Sequence, residues 1–149
     1  MNKNNSTQKN KQNPIDNIIS VINNAKNLSE VLTVKAISLP DGYAHTVAKN
    51  LRNTKNNQIR KFFEIVKKAE TEAVNDNPNN PTNAKNILFS LVPQVAYSVG
   101  RELCDEKLYE LIASCIKDEK LQNKEDVEMF AKFFEAIVAY GKFENTLKN

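Results

Sequence analysis

The residues best able to do chemistry in this sequence are cations. Lys55, Arg60, Lys61, Lys67 and Lys68 crowd into one stretch, "TKNNQIRKFFEIVKKAE". Lys61 and Lys68, and likewise Arg60 and Lys67, stand two helical turns apart, about 10 Å along one side of a helix. That spacing spans adjacent phosphates of a single nucleic-acid strand. Residues 49–70 hold seven Lys/Arg against two Glu, while residues 102–144 hold eleven Asp/Glu against six Lys. Such asymmetry suits a polyanion on one side and a basic partner on the other. A plain solvated helix face has the same pattern, and Glu64, one turn from both Arg60 and Lys68, can neutralise part of it. No exposed-looking aromatic interleaves with these cations. The expectation is therefore sequence-blind contact with a phosphate backbone, without base stacking.

Arg101 poses a separate question. It ends "LVPQVAYSVGRE", an apolar run with Pro93 inside it. A buried arginine needs a partner. Either the local acids Glu102, Asp105 and Glu106 supply one, or a bend at Pro93 aims Arg101 at the same phosphate path. Arginine suits the second task, because its planar fork holds two phosphate oxygens.

Other chemistries find little support. The single histidine, His45, would have to be the base of any Ser/His/Asp set, and a structural role is expected for it. Cys104 and Cys115, if on one helix, stand about 16 Å apart, beyond disulfide reach. One histidine and two distant cysteines do not make a zinc site. The acidic pairs Asp105/Glu106, Asp118/Glu119 and Glu125/Asp126 sit where helices end, so solvation or the helix dipole accounts for them. Three glycines leave none for a phosphate-cradling loop. No catalytic activity, cofactor or metal is expected.

Positioning those cations is work for helices. Pro14 opens "PIDNIISVINN", with Ile15, Ile18 and Ile22 at helical spacing. Residues 28–40 read equally as a short helix or an irregular link. Asp41 is a plausible cap for "GYAHTVAKNL", and Thr54 for the basic helix, whose apolar stripe is Ile59, Phe62, Phe63, Val66 and Ala69. "AKNILFSLVPQVAYSVG" is apolar on several sides. It is therefore expected at the centre, where packing would impose the bend at Pro93. "VEMFAKFFEAIVAYG" joins it there through Phe130, Phe134 and Ile137.

At 149 residues the chain fits one domain. The expectation is an all-α bundle of about five helices over residues 14–149, preceded by a disordered basic tail, residues 1–13, of Asn, Lys and Gln. No apolar run approaches the ~20 residues needed to span a bilayer. "MNKNNSTQKNKQN" lacks the apolar core of a signal peptide. The cytoplasm is the expected location, with no membrane partner.

Three segments in order resemble one family. They are Gln58-Ile59-Arg60-Lys61-Phe62; a helix with Pro93, Ala96-Tyr97 and Gly100-Arg101; and Ala139-Tyr140 followed by Lys142. Their order and spacing, over roughly residues 45–145, look like the small helical subunit of the type III-A CRISPR–Cas interference complex, the Csm complex. The resemblance implies a non-catalytic bundle, stacked in several copies beside the backbone subunits and touching the large subunit. It implies guide RNA and single-stranded target RNA as partners, with Lys55, Arg60, Lys61, Lys67, Lys68, Arg101 and Lys142 as backbone contacts. A helical adaptor that docks an acidic protein and has no RNA role is the alternative.

Overall fold

The computed structural model describes residues 12–149. The expected tail, residues 1–13, lies outside them apart from Gln12 and Asn13. Asn13 caps the first helix, α1 (Pro14–Asn24): its Oδ1 accepts from the Ile15 N–H at 2.9 Å. Pro14 in the first turn forfeits nothing, since N–H groups there have no helical partner. Ile15, Ile18 and Ile22 form its buried face. Residues 28–40 resolve into two short helices, α2 (Leu28–Val31) and α3 (Val34–Ser38). In α4 (Tyr43–Lys49) the cap is Gly42, not Asp41; Asp41 adopts a φ of 65° and pairs with Lys49 at 2.7 Å. A Cβ at Gly42 would stand 2.5 Å from the Ala36 carbonyl oxygen, so only glycine lets the chain turn this closely.

Four longer helices follow: α5 (Asn56–Ala73), α6 (Thr82–Gly100), α7 (Glu106–Cys115) and α8 (Lys124–Glu144). With α1 these are five helices of ten residues or more. Among the described residues the strand content is one parallel pairing of β1 (Thr54–Lys55) with β2 (Leu147–Lys148). The fold is all-α in substance, as the periodicity predicts.

The core is built on α8, where Phe130, Phe133, Phe134 and Ile137 are buried. α4 and α5 both pack on it, and Phe63 of α5 stacks nearly parallel on Phe134 with ring centroids 6.2 Å apart. Asp126, in the first turn of α8, is fully buried yet satisfied. It accepts from Asn27 Nδ2 at 2.7 Å and from the backbone N–H groups of Ser29, Gln122 and Asn123. One carboxylate thereby completes a capping box with Asn123 and ties α2 to α8. Buried Lys120 performs the converse task for α1, donating to the carbonyls of Asn23 in the helix's last turn and of Ala25 at its C-cap.

The structure corrects the expected place of α6. It packs on α5 and α7, at the flank. Leu88, Leu91, Val95 and Ser98 are its buried side, while Pro93, Gln94, Ala96 and Tyr97 face solvent. Pro93 is tolerated for a different reason from the one the sequence suggested. Helices curve with their convex side toward water, and carbonyls on that side already turn outward. A proline on the exposed face opens the side that is open anyway, and solvent takes the carbonyl it frees.

Candidate functional site

The first turns of α5 gather the three segments that the sequence analysis singled out. Gln58 and Lys61 of α5 face Pro93, Gln94 and Tyr97 of α6, and Arg101 at its C-cap, across a cleft of about 380 Å³ floored by Phe62, Ser98 and Leu103. Ser98 is buried and its hydroxyl donates to Gln58 Oε1 at 2.7 Å, which pins the first segment to the second. On the neighbouring side, Lys142 of α8 donates to Asn56 Oδ1 at 3.3 Å, which brings in the third. Arg60 shares a hollow with Asn56, Asn57 and Asn149.

Local structure fixes this end of α5. Thr54 does not cap the helix; the N-cap position is Lys55, with no side-chain cap bond. Thr54 is instead buried, donating to Asp105 Oδ2 at 2.6 Å and accepting from the Asp105 N–H at 3.1 Å. The same carboxylate receives the backbone N–H groups of Arg52 and Asn53. Asp105 therefore holds the turn before α5 against the start of α7. Gly141 has the matching role at the other edge: a Cβ there would press on the Leu147 side chain at 3.0–3.1 Å. Its absence lets the C-terminal strand fold back onto Thr54 and Lys55. With no side-chain acceptor at its N-terminus, α5 presents the positive end of its dipole here.

The seven candidate cations separate into groups. Lys61 and Arg101 line the cleft, whereas Arg60 and Lys142 gather around Asn56, in hollows that share no residue with the cleft. Lys55 is half-buried beside them, its N–H donating to the Leu103 carbonyl at 2.9 Å. Lys68 is exposed farther along α5. Lys67 is committed elsewhere: it pairs with Glu70 at 2.9 Å, and its ammonium lies 5.8 Å from the Phe63 ring centroid. The hydrogen bond to Glu70 also holds its pKa above the ordinary value. Glu64 forms no ion pair with Arg60 or Lys68 among the described residues.

Arg101 is exposed, not buried, and so needs no pair of its own. Asp105 is already occupied, and among the described residues no carboxylate pairs with the guanidinium. It lies 5.7 Å from the Tyr97 ring centroid instead. The chain turns sharply just after it in a Schellman motif, Glu102 N–H to Val99 carbonyl and Leu103 N–H to Ser98 carbonyl, both 2.9 Å. Glu102 pays the left-handed conformation with a φ of 62°.

Tyr97 overturns the expectation that no aromatic accompanies the cations. It is 67 % exposed and lies in the cleft. The signal was in the spacing: Pro93, Tyr97 and Arg101 recur every four residues, offset from the buried stripe of Leu88, Leu91, Val95 and Ser98.

The remaining reactive groups are structural. His45 Nδ1 accepts from the Asp41 N–H at 2.9 Å, its Nε2 meets Glu144 at 2.7 Å, and its ring stacks on Tyr140 at 4.3 Å. The cysteines are both free and buried, and they do not share a helix: Cys104 precedes α7 and Cys115 ends it. Burial pushes the Cys104 thiol up to about 12, against a smaller lowering by the Thr54 hydroxyl; burial raises Cys115 as well. No described helix is long and apolar enough to cross a membrane.

No curated protein and no solved structure matches the chain. The sequence model of the Csm2 Type III-A family does, over residues 34–146, reaching further toward the N-terminus than the three segments. The match covers more than half of the chain and includes every residue of the cleft: the chain belongs to the Csm2 Type III-A family, the small subunit of the multi-subunit type III-A CRISPR–Cas effector complex.

Proposed function

We propose that this subunit holds RNA by its phosphate backbone and performs no catalysis itself. The observation that carries the reading is the meeting of three distant segments at one end of α5. Lys61 and Arg101 line the cleft, and Arg60 and Lys142 lie about Asn56 at the same end of the helix. Lys55 and Lys68 extend the same charge, whereas Lys67 is spent on Glu70. Base pairing to a guide supplies sequence specificity in such a complex, so a protein lining the strand needs only generic cations. Target RNA and guide RNA are the ligands on this reading. Residues 14–149 act as one helical unit in the cytoplasm, copies stack head to tail, and the backbone and large subunits are the neighbours. Head-to-tail contact is the heterologous geometry that builds filaments.

The test is target-RNA retention by the assembled complex as salt is raised. Arg101→Ala and Lys61→Ala should each weaken retention equally for every target sequence. Each lost phosphate contact should reduce the slope of log K against log salt by about 0.7. Lys67→Ala should leave retention near the wild-type value. Unchanged retention in all three variants, with loss of a subunit from the complex, would assign the basic end to an acidic protein partner instead.

A further inference from the structure

The cleft has features that a backbone clamp does not need. Phosphates require cations, yet the most prominent exposed group in the cleft is an aromatic ring, Tyr97. It stands on one stripe of α6 between the Pro93 ring and the Arg101 guanidinium, one helical turn from each, or about 6 Å along the axis. That rise is comparable with the step from a base to its own phosphate. Opposite the ring is Gln58, whose carbonyl oxygen is taken by the Ser98 hydroxyl. The bond orients the side chain and leaves its amide N–H groups as donors toward the cleft. Gln94 brings a second amide, whose Nε2 donates to the Ser90 carbonyl at 3.4 Å and whose oxygen is left as an acceptor. The volume, about 380 Å³, falls within the ~300–1,000 Å³ of small-molecule clefts.

We propose that the cleft takes one unstacked nucleobase of single-stranded RNA. The base stacks on the Tyr97 ring face that the Arg101 guanidinium leaves open, Arg101 and Lys61 hold the adjoining phosphate, and the Gln58 and Gln94 amides meet its edge. The inference rests on the RNA reading and deepens it. Stacking on an aromatic side chain is tolerant of sequence, because every base has a π face. A base site of this kind therefore suits a subunit that must accept any target. It also gives Pro93 a purpose on an exposed helix face: a flat, rigid apolar wall beside the ring.

The experiment compares a short single-stranded oligouridylate with an abasic strand of the same length, titrated into the full chain at several salt concentrations. Wild type and Tyr97→Phe should bind the base-bearing strand about fivefold or more tightly than the abasic one, the low end of stacking on a single aromatic side chain. Tyr97→Ala should remove that preference and leave the salt slope as it was. Lys61→Ala combined with Arg101→Ala should weaken both strands alike and flatten the slope. Equal affinity of the wild type for the two strands, with a normal slope, overturns the base site and leaves the backbone reading standing. Failure of the wild type to bind either strand overturns the RNA reading, and the base site with it.

Discussion

Arg101 and Glu102 are adjacent residues under opposite constraints. Arg101 is free of ion pairs among the described residues and its guanidinium rests against Tyr97, so its charge remains available to an anion. Glu102 has no such freedom. It occupies the left-handed position that closes the Schellman turn, where glycine is the usual residue and an L side chain costs about 1–2 kcal/mol. Glu102→Gly should relieve that strain, offset in part by the greater entropy of glycine in the unfolded chain. A net gain of about 0.5–1 kcal/mol is expected, read as a higher urea midpoint at unchanged slope. The same change removes a carboxylate next to Arg101, so RNA affinity at low salt should rise rather than fall. The cysteines give a second residue-scale prediction. In the unfolded chain each thiol ionises near its ordinary value of 9.0, whereas in the native state burial keeps both protonated well above that. The unfolded state therefore binds fewer protons above pH ~9, and stability must fall as pH rises, by about 1.4 kcal/mol per pH unit per thiol. Urea unfolding at about pH 8 and about pH 10 should show the loss. The double variant Cys104→Ala, Cys115→Ala should show less of it, and a thiol reagent at neutral pH should react only after unfolding.

At the scale of elements, α6 and α8 take different shares of the fold. Phe134 of α8 is buried among Phe130, Phe63 and their neighbours, so Phe134→Ala should cost about 3–5 kcal/mol, seen as a large drop in unfolding midpoint. Pro93 of α6 is exposed in mid-helix, so Pro93→Ala should do the reverse, restoring one backbone hydrogen bond and raising stability by up to ~3 kcal/mol. A destabilised Pro93→Ala variant would mean that packing against α5 depends on the proline. Helix identity was legible in the sequence because apolar spacing over ten or more residues has one interpretation: α1, α5, α7 and α8 each bury the stripe it marks. Two things were not. Caps are chosen by competition, and Thr54 and Asp41 are diverted by partners distant in sequence or along the helix, Asp105 and Lys49. The orientation of α6 was hidden because Ala96 and Tyr97 read as core by type, and only the stripe of Pro93, Tyr97 and Arg101 separates the wet face from the dry one. Of the candidate site, the sequence displays the cations but not which of them pair with an acid: Lys67 and Lys68 are neighbours in sequence, and only Lys67 finds one among the described residues.

Over the whole molecule the two charged segments are not equally available. Much of the acidic segment is used internally: Asp105 on the turn before α5, Asp118 on Lys85 at 2.6 Å, Asp126 on the α2 backbone, Glu110 on Lys107, and Glu144 on His45. Fewer of the cations at the start of α5 are offset in this way. The exposed acids that remain include Glu102, Glu106, Glu119, Glu125 and Glu135. A second copy brought head to tail can meet the basic end with these, and the contact then rests on exposed charges that salt screens beyond about 8 Å. A rival surface for such a contact is also exposed. Pro40, Ala139, Tyr140 and Phe143 line an apolar hollow, and Phe143 is 77 % exposed, with Leu39 half-exposed near it. Apolar association responds to salt in the opposite sense, because burial of such surface is not screened and is favoured by excluded salts. Sedimentation of the full chain at low and high ionic strength separates the two. Self-association should weaken as salt rises, and Arg60→Glu should weaken it further at low salt. Association that holds or strengthens at high salt, and is lost in Phe143→Asp, would move the contact between copies to the apolar hollow and leave the basic end entirely to RNA.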